Sequence, residues 1–420
     1  MKKNYFLSLV LVFVTILAVG VKAQSTYTKQ VIIVSGGIYS DPNDFVTVSS
    51  YNPETETITD FGTIYTQSVQ DVIINGSFAY VAAQDSIVKF NIDTYEKLAS
   101  VASPGINQLA TDGNVLLASF WYPITENFVK IFSLDDLSLV TNIEGISGDA
   151  AGFLINDGVA LVAIPGPYGS TTGKIAAIEI DQAFLLSEDD YGDFYSGINF
   201  FGFYNDVISS FMTTAWGETT TNIGTFDYGG DIMEQYTIND ASLANSAGQR
   251  NNLMYIELNN GIAEYDLTDN TETMIVSPLT EGIAASVIDT INNNFYITTS
   301  DFFSYGNGYI YNLEGNQTST IDVGISAQAI AVDYRTITAI TNNINDFDIS
   351  VYPNPAQNYI KLRSNKSIEI ENIDIIDNLG KVVISTNNIN KIDISNLNAG
   401  IYFVIAHSKY QKFSSRFIKN

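Results

Sequence analysis

Short apolar runs that end in turn residues recur along the chain. Between Val69 and Pro104 four such runs follow one another, and Asn75-Gly76 separates the first two. Asn-Gly between two β-rich runs is the strongest local signal for a hairpin, because both residues tolerate a positive φ. This stretch therefore predicts one antiparallel sheet of four short strands.

The same pattern repeats along the chain. The first apolar residue after each central turn recurs at steps of 37, 44, 48, 46 and 42 residues, at Phe78, Val115, Val159, Val207, Leu253 and Phe295. Periods of about 40–50 residues with four strands each are typical of propeller blades. The repeat predicts six complete blades.

The two ends of the repeat region predict a seventh blade. Three apolar runs near the N-terminus, Gln30–Val34, Phe45–Val48 and Thr57–Phe61, lack a fourth strand, which Ala329–Asp333 could supply. Pairing these runs would remove two exposed sheet edges. A further run, Thr336–Thr341, could compete for this place.

The predicted fold class is all-β, a seven-bladed β-propeller followed by a small immunoglobulin-like β-sandwich. Residues 1–23 have the charge and hydropathy pattern of a signal peptide, and no transmembrane segment is expected in the mature protein. Residues 24–341 would form the propeller, 342–348 a polar linker, and 349–420 the sandwich. The sequence has no cysteine, so disulfides and N-terminal lipidation through cysteine are excluded.

Charge is distributed unevenly. From Gln24 to Asn345 the sequence has 39 Asp and Glu residues but only 7 Lys and Arg, a net charge of −32. Such a surface repels nucleic acid and anionic lipid, so no nucleic-acid partner is expected. The acidity could equally serve only to keep an exported protein soluble.

The C-terminal residues carry a recognisable set of motifs. Tyr352-Pro-Asn-Pro355, Asp377-Asn-Leu-Gly-Lys-Val-Val383 and Ile394-Ser-Asn-Leu-Asn-Ala-Gly-Ile-Tyr-Phe403 follow one another in the order that resembles the type A sorting domain of the type IX secretion system. The resemblance covers nearly all of residues 349–420. It implies that the secretion machinery is a partner, and that the protein is secreted or held at the outer-membrane surface.

The repeat region resembles the YncE-like seven-bladed surface propellers. The similarity rests on Val34-Ser-Gly-Gly37, Val48-Ser-Ser-Tyr-Asn-Pro-Glu-Thr55 and Val88-Lys-Phe-Asn-Ile-Asp-Thr94. Relatives in that group include propellers that capture cobalamin at the cell surface. Those relatives are lipoproteins, whereas this chain has no cysteine to carry a lipid.

Aromatic residues concentrate in one class of predicted loop, the connection between the second and third strands of a blade. We expect these rings to form an apolar surface on one rim that binds a small molecule or glycan. The alternative is that the rings fold back and cover the blades below them. The candidate ligand-binding residues are Tyr39, Trp121, Tyr122, Tyr168, Trp216, Phe302, Phe303 and Tyr305.

Catalytic residue types are scarce. The only histidine is His407, in the predicted sorting domain, so the propeller lacks both His and Cys. We therefore expect a binding protein rather than an enzyme, and no cofactor. Clustered Asp189, Asp190 and Asp193 are weak candidates for a Ca²⁺ site or, alternatively, for carboxylate-dependent hydrolysis of glycans. A structural or adhesive surface protein is the third possibility.

Overall fold

The computed structural model describes residues 25–38, 41, 43–227, 229–337, 349–364, 370–377, 381–388, 390–408 and 412–420. Its residues divide into two compact units, Thr26–Thr336 and a second that contains Ile337–Asn420. The predicted signal peptide at 1–23 and linker at 342–348 lie outside the described residues. The predicted domain boundaries accordingly stay predictions.

The first unit consists almost entirely of strands, with one 3₁₀ turn at Asp193–Tyr195. Its first fifteen strands are β1 Ser25–Ser35, β2 Val46–Asn52, β3 Thr57–Ile64, β4 Asp71–Asn75, β5 Phe78–Ala83, β6 Ser86–Asn91, β7 Glu96–Ala102, β8 Ile106–Thr111, β9 Val115–Phe120, β10 Val129–Ser133, β11 Leu139–Asn142, β12 Phe153–Asn156, β13 Val159–Ile164, β14 Lys174–Glu179 and β15 Phe184–Asp190. Thirteen more follow: β16 Ile198–Tyr204, β17 Val207–Met212, β18 Thr220–Phe226, β19 Ile232–Asn239, β20 Leu243–Arg250, β21 Leu253–Leu258, β22 Gly261–Asp266, β23 Thr271–Val276, β24 Ile283–Asp289, β25 Asn294–Thr299, β26 Tyr305–Asn312, β27 Gln317–Ile325 and β28 Ala327–Ile337.

In the described part of this unit the strands form seven four-stranded antiparallel sheets. Sheet 1 has the order β28-β1-β2-β3, so the last strand pairs with the first three, as the sequence predicted. Sheets 2 to 7 each use four consecutive strands, from β4–β7 to β24–β27. We call β28, β4, β8, β12, β16, β20 and β24 the first strands of sheets 1 to 7. The competing run at Thr336–Thr341 begins within β28, and its residues from 338 onward lie outside the described part.

The predicted hairpin turns are confirmed by the backbone. Asp157 and Gly158 both have positive φ, at 47° and 77°, and so do Asn205 and Asp206, at 50° and 62°. Two consecutive residues in the left-handed region define the turn whose twist matches that of the flanking strands. The second strands β5, β9, β13, β17 and β21 begin at the predicted residues, and β25 begins one residue earlier.

Burial differs between strands of one sheet. In sheet 2 the middle strands are buried on both faces, whereas β7 alternates between exposed and half-buried residues. A strand that has a sheet on each side must be apolar on both faces, whereas an outer strand needs only one apolar face. Near-continuous apolar runs therefore mark the second and third strands.

Apolar side chains join each sheet to the next. Val81 of sheet 2 packs with Val34 and Val48 of sheet 1, and corresponding clusters unite every following pair of sheets. One cluster also unites the last sheet with the first, through Tyr296 of β25 and Val31 of β1. Each sheet thus buries both of its faces.

Buried polar groups fix the pairing of the two chain ends in sheet 1. The Gln30 Nε2 atom of β1 donates to Asp333 Oδ2 of β28 at 2.9 Å, and Ser50 Oγ donates to Gln30 Oε1 at 2.5 Å. Arg335 Nη2 donates to Asp93 Oδ1 of the neighbouring sheet at 3.0 Å. A buried polar group without a partner would be costly, so these bonds select one register.

The second unit contains β29 Ile349–Tyr352, β30 Tyr359–Ser364, β31 Ile370–Ile376, β32 Val382–Thr386, β33 Ile392–Asp393, β34 Gly400–Ser408 and β35 Lys412–Lys419. They form one sheet of order β29-β30-β33 and another of order β32-β31-β34-β35. Both sheets contribute to one core, where Ile360 and Ile392 meet Ile375, Val404 and Phe417. β29 is only four residues long and β35 is rich in polar residues, so both carry a weak strand pattern.

Candidate ligand-binding cavity

The loops between second and third strands lie beside the segments that lead into the first strands. Trp121 N donates to Gly105 O at 2.8 Å, Thr213 N to Gly197 O at 2.9 Å, and Ser300 N to Gly282 O at 3.1 Å. Each acceptor is the residue just before a first strand. The two kinds of segment therefore lie at the same end of their sheets, because antiparallel strands reverse direction at every turn.

The candidate aromatic residues in these loops are exposed. Tyr168 is 99% exposed and Trp216 is 94% exposed, while Trp121 is 46% exposed. Tyr122, Phe302 and Phe303 are exposed as well. Tyr305 is also exposed but is the first residue of β26 rather than part of the loop, and Tyr39 lies outside the described residues. At this exposure the rings of Tyr168 and Trp216 do not cover the sheets beneath them, whereas about half of the Trp121 ring is covered.

The exposed rings are distributed over several loops. They belong to loops of sheets 3, 4, 5 and 7, and none stacks on another in the part of the chain that the structure describes. Trp121 differs from the other rings because it also borders a cavity. The prediction that the rings form one ligand-binding surface stays a prediction.

This cavity has a volume of about 440 Å³ and lies where the first strands of five sheets converge. We call it the first-strand cavity. Its lining residues come from β28, β4, β8, β20 and β24 or the segments just before them, with Trp121 added from a loop: Ser68, Val69, Gln70, Asp71, Asn107, Gln108, Trp121, Asn245, Ser246, Ala284, Ala285, Ser286, Gln328, Ala329 and Ile330. Amides and hydroxyls dominate this surface.

The side of the cavity toward sheets 4 and 5 is closed by a hydrogen bond across sheet 4. Gln108 Nε2 of β8 donates to Asn199 Oδ1 of β16 at 3.1 Å. Gly152, just before β12, permits this approach, because a Cβ at that position would lie 2.4 Å from Asn199 O and 3.0 Å from Gln108 Oε1. Glycine is required here for space and not for backbone conformation.

One carboxyl group lines this cavity, and a second is bonded to a lining residue. Asp71 lines it and accepts hydrogen bonds from Val72 N and Leu109 N, both at 2.8 Å, while burial raises its pKa to about 6. Glu257 of β21 accepts a hydrogen bond from the lining residue Ser286 at 2.6 Å, and burial raises its pKa to about 7. Raised carboxyl pKa values in a cavity are a mark of functional sites.

No local sequence pattern indicated these two residues. Asp71 and Glu257 stand inside ordinary strand patterns, and nothing in their local sequence separates them from the other 44 acidic residues. A signal existed only in the amides at the start of first strands, such as Asn107-Gln108 in β8 and Gln328 in β28, since a wholly structural strand would favour apolar residues there.

The acidic residues proposed as a metal site are not brought together. Asp189 and Asp190 are consecutive residues of β15 and point to opposite faces, and Asp190 Oδ1 accepts a hydrogen bond from Gly192 N at 2.9 Å. Asp189 lines a second, mostly apolar cavity of about 300 Å³ between sheets 4 and 5. Across the described residues, no three His, Asp or Glu side chains are placed to hold a metal ion, so Asp189, Asp190 and Asp193 do not form such a group.

The C-terminal unit matches a known family. Residues 350–420 match the family described as the secretion system C-terminal sorting domain. The chain carries a type IX sorting domain. It is therefore a type IX secreted protein, either attached to the cell surface or released, and its tail interacts with the secretion machinery. None of the described residues forms a helix long and apolar enough to cross a membrane.

The larger unit is similar to solved β-propeller-like structures at low sequence identity. A Lactobacillus plantarum protein is 13% identical with a TM-score of 0.56, over 73% of this chain and 100% of that one. A Bacteroides fragilis protein assigned as a candidate 6-phosphogluconolactonase is 13% identical with a TM-score of 0.54, over 73% and 98%. Hydrazine synthase of Kuenenia stuttgartiensis is 11% identical with a TM-score of 0.51, over 65% and 96%. These similarities show the fold alone, and no curated protein matches the chain.

Proposed function

We propose that this exported protein captures a small molecule or the end of a glycan in the first-strand cavity. The observation that carries the proposal is the cavity itself, a polar concave surface of about 440 Å³ with Trp121 at its border. Ligand sites are typically concave, with a few convergent polar groups and an aromatic surface for stacking. The sorting domain would deliver this site to the cell exterior.

The proposal includes a closed seven-bladed propeller as the scaffold and an immunoglobulin-like sandwich as the sorting domain. The seven four-stranded sheets and the apolar cluster between sheets 7 and 1 support the closed ring. The single core shared by the two C-terminal sheets supports the sandwich. In a closed ring the first-strand cavity lies on the axis, where ligands approach from one rim.

The two tryptophans provide a matched test. Calorimetry of the purified full chain against oligosaccharides and cobalamins identifies a ligand, and cobalamins are included because of the resemblance to capturing propellers. Trp121→Ala should then weaken binding about tenfold, because it removes the ring at the cavity border. Trp216→Ala removes an equally large ring that does not line the cavity and should leave affinity unchanged.

Equal losses in both variants would indicate binding on the exposed rings instead of in the cavity. No binding to any compound of the panel, with intact secondary structure by circular dichroism, would contradict the capture role.

A carboxylate-dependent hydrolase is the second candidate, favoured by the raised pKa values of Asp71 and Glu257. A general acid must hold its proton near neutral pH, and burial provides this for both groups. The candidate predicts turnover of a glycan that Asp71→Asn abolishes without weakening binding. Binding without turnover across a glycan panel would contradict it.

A further inference from the structure

The hydrogen-bonding groups of the first-strand cavity favour one kind of ligand, and this inference rests on the proposed function. Several lining side chains already use a donor within the protein. Asn107 Nδ2 donates to Ala150 O at 2.8 Å, and this carbonyl can only accept, so the orientation of the amide is fixed. Asn107 Oδ1 remains as an acceptor.

Three other lining residues show the same condition. Gln108 Nε2 donates to Asn199 Oδ1 at 3.1 Å, Ser286 Oγ donates to Glu257 Oε1 at 2.6 Å, and Ser246 Oγ donates to Tyr255 O at 3.3 Å. Gln108 thus uses one of its two amide N–H groups on the protein, and each serine uses its hydroxyl proton. The amide oxygen of Gln108 and the hydroxyl lone pairs of Ser286 remain as acceptors for a ligand, beside the second N–H of Gln108.

A carboxylate completes this acceptor-rich surface. Asp71 is the one ionisable residue among those that line the cavity, and its hydrogen bonds come from the backbone N–H groups of Val72 and Leu109. No lysine or arginine lines the cavity. Four of the seven basic side chains between Gln24 and Asn345 have partners elsewhere: Lys29 and Arg335 pair with Asp93, Lys174 with Glu188, and Lys89 donates to the carbonyls of Leu134 and Asp135.

Some donors remain for hydroxyl oxygens. Asn245 uses its Oδ1 atom to accept from Ser246 N at 2.9 Å, which leaves its amide N–H groups, and the Gln328 side chain makes no hydrogen bond with the described residues. A ligand with both hydroxyls and a cationic donor would satisfy both sets of groups. The surrounding unit, with a net charge of −32 between Gln24 and Asn345, raises the local concentration of cations.

We propose that the cavity selects an amino sugar, with the protonated amine against Asp71, the hydroxyls against the amides, and the sugar face near Trp121. A charge-assisted hydrogen bond to a partly buried carboxylate is stronger than a neutral one. An N-acetylated or neutral sugar would fit the same space but would leave Asp71 without a cationic partner.

The test compares three β-linked trisaccharides of similar size by calorimetry on the full chain at pH 7. Tri-glucosamine should bind at least fivefold more tightly than tri-N-acetylglucosamine and cellotriose, and Asp71→Asn should abolish this preference. Trp121→Ala should weaken binding of all three compounds. Equal affinities for the three would overturn the amino-sugar inference and leave the capture role standing, whereas absence of tri-glucosamine binding would overturn the inference outright.

A second measurement needs only the wild-type chain, in case Asp71→Asn fails to fold. At pH 4.5 Asp71 is mostly protonated because its pKa is about 6, whereas a sugar amine keeps its charge. The preference for tri-glucosamine should therefore disappear at pH 4.5. Glu257 is the other titratable group next to the cavity, so Glu257→Gln serves as the control and should retain the preference. A preference that persists at pH 4.5 would exclude Asp71 as its source.

Discussion

The exposed aromatic loops and the first-strand cavity lie in the same unit but differ in their physical character. The rings of Tyr168 and Trp216 are almost fully in water and contact no other ring among the described residues. The cavity is enclosed by residues of five sheets, and its carboxyl groups have raised pKa values. Exposure leaves the rings of the loops in water, whereas burial at the cavity raises the pKa values of carboxyl groups.

The largest expected effect is on the pH dependence of the free energy of unfolding, and it comes from Glu257. Among the described residues, none of the exposed aromatic loops has a comparable buried carboxyl group. Its pKa is raised from 4.5 to about 7, so the folded protein binds a proton that the unfolded chain releases. The free energy of unfolding should consequently fall as pH rises from about 4.5 to about 7. Glu257→Gln keeps an acceptor for Ser286 and should remove up to about 3 kcal/mol of this decrease.

Urea unfolding of the full chain and of Glu257→Gln at several pH values measures this difference directly. Other carboxylates contribute equally to both proteins and cancel in the comparison. If the free energy of unfolding depended on pH in the same way in both proteins, Glu257 would be as well solvated as a residue of the exposed loops.

An effect of intermediate size is expected for Gln328. Its replacement tests whether the ligand binds in the cavity or on the exposed loops. Its side chain lines the cavity and makes no hydrogen bond with the described residues, so its amide is available to a ligand. Gln328→Leu should weaken ligand binding about tenfold, as expected for a lost hydrogen bond in an enclosed site. Phe303→Ala, a change in an exposed loop, is the matched control and should bind normally. Weaker binding by Phe303→Ala and normal binding by Gln328→Leu would place the ligand on the exposed loops.

The smallest effect on stability is expected from the exposed aromatic residues themselves. Phe302, Phe303 and Tyr305 are exposed, so replacing all three with serine should change the free energy of unfolding by less than about 0.5 kcal/mol. The same variant should associate less at high concentration, because exposed apolar groups promote contact between molecules. Light scattering and urea unfolding measure the two properties. A loss of stability above about 1 kcal/mol would show that these rings pack on the protein.

Local sequence predicted much of the fold because its signals are local. Asn205-Asp206 specifies a turn through its own backbone preferences, and the apolar run from Phe78 to Ala83 specifies a strand buried on both faces. The sequence also predicted the pairing of β28 with the N-terminal strands, because unpaired edges are costly wherever they occur.

The candidate site likewise has features that local sequence predicts and features that it does not. The sequence by itself determined which aromatic residues fall in loops and that the C-terminal residues form a sorting domain, because motif order and turn position are properties of neighbouring residues. Only the tertiary structure decided that Asp71, Trp121 and Gln328 border one cavity, and that Glu257 lies beside it. These residues are separated by up to 257 positions, and their burial and pKa depend on sheets that assemble around them. Desolvation is a property of the packed molecule, so no local pattern encodes it.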